Sequence, residues 1–63
     1  MSFLPSPEVH FYVFFYRPGN KIPFYDRTMP CERTANSRVK KLEERENVAS
    51  AFWATKPPED FYY

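Results

Sequence analysis

The chain is short of most of the devices by which a small protein holds itself together. Cys31 is its only cysteine, so no internal disulfide can form. His10 is its only histidine, which excludes the ligand spacing of a zinc finger or ribbon. Gly19 is its only glycine among 63 residues, against seven prolines, so flexible linkers are excluded and stiff extended segments are favoured. There is no excess of one charge: nine Lys and Arg stand against eight Asp and Glu, for a net +1. Proteins that wrap nucleic acid through its phosphates need a clear basic excess, so that role is disfavoured. No apolar run approaches the roughly 20 residues needed to cross a bilayer. No Lys or Arg precedes Arg17, so neither a secretory n-region nor an Arg-rich transit peptide is visible. An intracellular, reducing setting fits the single thiol.

What remains is aromatic. Phe, Tyr and Trp make up 21% of the residues, far from the composition of a disordered chain. The densest run is His-Phe-Tyr-Val-Phe-Phe-Tyr, from His10 to Tyr16. Its residue types prefer an extended strand. An amphipathic strand would alternate apolar and polar residues, and this one does not. Val9, Phe11, Val13 and Phe15 form one face, while His10, Tyr12, Phe14 and Tyr16 form the other. Both faces need cover. Ordering a backbone costs about 1–2 kcal/mol per residue, and a chain this short buries only about 60% of its unfolded surface. The cover is therefore expected from another molecule.

Along the chain, Pro5 and Pro7 stiffen a lead-in whose Phe3 and Leu4 suit a docking anchor. Arg17-Pro18-Gly19-Asn20 has the type II turn signature, with Pro at i+1 and Gly at i+2. Tight hairpins prefer the primed turns, and Pro23 removes a ladder donor from the next stretch. A bend in an extended arm is thus preferred to a hairpin. From Arg38 to Ala54 there is neither proline nor glycine, and Thr34, Asn36 and Ser37 are competent N-caps. Ala35, Val39, Leu42, Ala49, Phe52 and Trp53 mark an apolar stripe, thin at Arg45–Glu46. The pattern predicts one helix over about 36–55, stopped by Pro57-Pro58.

The expected architecture is no independent compact fold. It has an extended arm over 1–34 with a short strand over 9–16, a helical segment over 35–56, and an acidic-aromatic tail over 57–63. Catalysis is not expected: nothing fixes His10 and Cys31 as a base and nucleophile, and no metal or cofactor is implied. The Glu43–Glu46 run reads as a solvated helix face. Thirteen aromatic side chains could bury on the order of 2,000–3,000 Å², the scale of a permanent interface. The expected partner-binding residues are Phe11, Tyr12, Val13, Phe14, Phe15, Tyr16, Phe24, Tyr25, Phe52, Trp53, Phe61, Tyr62 and Tyr63. The implied function is that of a non-catalytic accessory subunit, stapling several protein subunits of one large assembly. A respiratory-type mitochondrial complex is the expected host, with membrane contact at most peripheral. The alternatives are a cytoskeletal or axonemal staple and a small regulatory or nucleic-acid-binding module.

Overall fold

In a computed structural model that describes residues 10–63, the order of elements is β1 (Phe11–Tyr16), β2 (Phe24–Met29), α1 (Glu32–Glu43) and β3 (Ser50–Ala54). The strands form one antiparallel sheet in the order β2-β1-β3. The lead-in with Phe3 and Leu4, and Val9, lie outside the described residues.

The expectation of an extended arm without a compact fold is overturned. The aromatic strand is there, but it takes the centre of a sheet made by its own chain. Val13 and Phe14 are both 0% exposed. On one side of the sheet Val13 meets Ala35 and Leu42 of α1, with Val48, and Phe11, Phe15, Met29, Val39, Ala51 and Trp53 pack around them. On the other side Phe14 is stacked on Phe52 at 5.5 Å and met edge-on by Tyr25 and Phe61 at 5.7 and 5.2 Å. Two thin layers, a helix and a cluster of aromatic rings, cover the two apolar faces.

The hairpin also forms, against the preference for a bend. The type II turn is present: the Asn20 amide donates to the Arg17 carbonyl at 3.0 Å, and Gly19 has φ +86°. The connection spans residues 17–23, so the turn need not match the twist demanded of a two-residue loop. Pro23 precedes the strand rather than interrupting it. Arg17 folds back over the Phe24 ring at 4.8 Å, and Phe24 stacks on Phe15 at 5.5 Å.

The helix is displaced toward the N-terminus and ends early. It starts after Cys31, an N-cap that makes no side-chain capping bond, with Glu32 in the first turn and Lys40 and Lys41 in the last, as the dipole favours. Ala35, Val39 and Leu42 face the sheet at helical spacing. The next positions on that stripe are Arg45 and Glu46, and there the helix stops. Residues expected to continue it form β3 instead. The reason lies in Phe52 and Trp53. On a helix, neighbours diverge by about 100° and only one ring serves a single stripe. On a strand they point to opposite faces. Phe52 lies opposite Phe14, and Trp53 lies opposite Val13, so each ring enters a different layer.

Candidate interaction surface

The strand register decides which aromatics reach the surface. Tyr12, Phe14 and Tyr16 face away from the helix, together with Phe52 of β3 and Tyr25 of β2. The chain beyond β3 turns back across this face. Its Tyr62 amide donates to the Pro23 carbonyl at 2.9 Å, and the Tyr25 amide donates to the Tyr62 carbonyl at 2.6 Å. This short parallel bridge at the outer edge of β2 fixes the three terminal aromatics. Phe61 lies over Phe14, Tyr62 lies beside Phe24 at 4.9 Å, and Tyr63 meets Phe61 and Tyr25 at 5.2 and 6.1 Å.

The result is an open groove of about 210 Å³ lined by Tyr12, Phe14, Tyr25, Pro57, Phe61 and Tyr63. Among the described residues, no charged side chain lines it. Phe14, itself fully buried, lies under its floor, and tyrosines form its rim. The Tyr25 hydroxyl is within 2.6 Å of the Thr28 hydroxyl, which fixes that side of the rim. Among the described residues, Tyr62 and Tyr63 are the large aromatics that stand farthest out, at 47% and 94% exposure.

The thirteen residues expected to bind a partner thus separate. Val13 and Phe14 are withdrawn from any surface. Phe11, Phe15 and Trp53 pack in the layer beneath the helix, and the Trp53 indole N–H donates to Asn36 Oδ1 at 2.7 Å. Phe24 is sandwiched between Phe15 and Tyr62, under Arg17. Tyr16 and Phe52 lie side by side at 5.9 Å on the outer face. Tyr12, Tyr25, Phe61, Tyr62 and Tyr63 are left to present rings or hydroxyls outward. Pro57 joins the groove and is not among the expected contact residues. Its sequence neighbourhood reads only as a helix stop.

His10 and Cys31 are both exposed, and neither lines the aromatic groove. The Cys31 thiol is lowered from its ordinary 9.0, first by hydrogen bonding to Thr34. Among the described residues, no group of three His, Cys, Asp or Glu side chains could hold a metal ion, and no helix is long and apolar enough to cross a membrane.

Fold and surface together define a small α+β protein: a three-stranded antiparallel sheet with one helix on one face and an aromatic groove on the other. No protein-family model, no curated protein and no solved structure matches the chain.

Proposed function

We propose that this protein is a non-catalytic interaction module that docks onto a protein partner through the aromatic groove on the sheet face opposite α1. The observation that carries the reading is the make-up of that groove: apolar rings on its floor and walls, tyrosines on its rim, and no charged side chain among the described residues. Tyr is among the residues that concentrate binding energy at protein interfaces, since it offers a large rigid ring with a polar tip. The groove suits one or two apolar side chains of a partner, with backbone polar groups meeting the tyrosine hydroxyls.

The mode of binding differs from a wrapping arm. A preformed body keeps its backbone order on binding, so little ordering entropy opposes association. The accessory role in a larger assembly stands as part of this proposal. So does the mitochondrial host, which rests on the abundance of short accessory chains in such complexes and on no residue of the fold. A compact body is also what the regulatory-module alternative requires.

The test is co-fractionation of the full chain with one purified assembly in stoichiometric amount, comparing the native protein with a Tyr12→Thr, Tyr63→Ser double variant. Tyr63 is almost wholly exposed, and Thr is a good strand former, so the fold is retained. The expected result is an unchanged melting temperature with loss of co-fractionation. Retention of the variant in the assembly at native stoichiometry would overturn the reading.

A further inference from the structure

On the helix side of the sheet, the flank of α1 that overlooks β2 is different in chemistry. Arg27 and Met29 from β2, and Thr34, Ser37, Arg38 and Lys41 from α1, line a second groove of about 210 Å³. Its cations are brought together by a fault in the strand pairing. Val13 lies opposite Arg27 and Phe14 opposite Tyr25, so Asp26 is an extra residue in β2. Such a bulge breaks the alternation of faces and re-aims side chains. Asp26 and Arg27 consequently both act on the helix side. Asp26 accepts from Arg38 Nε at 2.7 Å and from Arg38 Nη2 at 3.0 Å, while Arg27 Nε stands 3.2 Å from the same carboxylate.

We propose that this groove is a binding site for a phosphate monoester. Asp26 holds both guanidinium groups from behind, where its side chain is only 11% exposed. The bidentate pair occupies one edge of Arg38 and leaves the rest of its five-donor fork for a second acceptor. Arg27, at 53% exposure, and the exposed Lys41 complete the ring, and Ser37 adds a hydroxyl. Among the described residues, three cations and one carboxylate leave the groove two charges positive. A monoester carries about −1.5 to −2 charges near neutral pH, and a diester carries about half of that. The charge balance therefore selects the monoester. The Thr34 hydroxyl is committed to the Cys31 carbonyl at 2.9 Å and serves as wall, not as donor. The site is independent of the aromatic groove, since the two lie on opposite faces of the sheet and share no residue.

The experiment is a titration of the isotope-labelled full chain, followed by backbone amide shifts at constant ionic strength. The probes are inorganic phosphate, a phosphoserine peptide and its unphosphorylated form, and a dinucleotide diester. Saturable shifts at Ser37, Arg38 and Lys41 are expected with the phosphoserine peptide and with inorganic phosphate, which carries the same dianionic oxygens as a monoester. A free small monoester as the natural ligand predicts equal affinity for the two, and a phosphorylated protein partner predicts tighter binding of the peptide. Arg27→Gln and Lys41→Gln should each weaken binding about three- to fivefold, as for charge pairs that keep contact with water. Lys40→Gln, which removes the same charge one position away but outside the groove, should not. Chloride producing the same shifts, the diester binding as well as the monoester, or Lys40→Gln acting as strongly as Lys41→Gln would each overturn the assignment. Loss of partner docking in the Tyr12 and Tyr63 variant would leave this titration unchanged.

Discussion

Asp26 ties three levels of the structure to one carboxylate. It exists as a half-buried acid because the bulge turns it inward, and it stays ionised because Arg38 and Arg27 face it. Burial alone raises its pKa, but the hydrogen bonds and charge of Arg38, with the smaller contribution of Arg27, outweigh this and bring it below the ordinary 3.8. The folded carboxyl thus holds its proton less tightly than the unfolded one. The stabilisation is whole above the ordinary value and drains away as pH falls through the lower, folded one. Asp26→Asn should cost about 1–2 kcal/mol at pH 7, low in the range for charge-assisted bonds because both groups keep an edge in water. It should also remove part of the acid-side slope in a plot of chemical-denaturation stability against pH. Equal slopes for variant and native protein would show that the pair does not govern the acid limb. Phe14 is the other decisive residue. Fully buried among three rings, it should lose about 3–5 kcal/mol on truncation to alanine, enough to unfold a chain this small. Thermal melts of the two variants rank them.

At the scale of elements, the hairpin depends on Gly19. Its φ of +86° is one that side chains rarely adopt, although a methyl group there would meet no atom within 4 Å. Gly19→Ala should therefore cost about 1–2 kcal/mol through backbone conformation alone, with no packing loss. Gly19→Asn should cost less, since Asn tolerates the left-handed region. Urea midpoints that fall equally for both would point to a steric cause instead. The C-terminal segment behaves as an element too, though it is neither strand nor helix. Its backbone bridge to β2 and the Phe61 ring over Phe14 make it the second layer of the fold. Deleting Glu59–Tyr63 should expose Phe14 and lower the melting temperature strongly. A deletion that leaves the melt unchanged would show that the tail merely rests on the sheet.

For the molecule as a whole, α1 and the terminal aromatics pack on opposite faces of the same central strand. Neither layer can leave without stranding Val13 or Phe14 in water. The isolated chain should consequently unfold in one step, with Trp53 fluorescence and helical circular dichroism changing together. Trp53 is a fitting reporter because its indole bridges β3 to Asn36 of α1. Non-coincident transitions would mean that the two layers melt separately.

The sequence by itself determined an aromatic strand, the type II turn, and the demand for cover on two apolar faces. These are local properties of residue type: β-propensity, the conformation of Pro-Gly, and a pattern without alternation. It also carried the rings that line the aromatic groove, except Pro57, without saying which would reach the surface. Only the tertiary structure decided where the cover came from. Leu42 and Phe61 lie far from Val13 and Phe14 along the chain, and nothing local announces that they close over them. The same holds for Ser50–Ala54, where the absence of proline and glycine permitted a helix. Edge pairing with β1 made it a strand, because only a strand sends Phe52 and Trp53 to opposite faces. The basic groove was beyond the sequence for a related reason. It depends on a one-residue slip in strand register, and register is set by the packing of both faces at once.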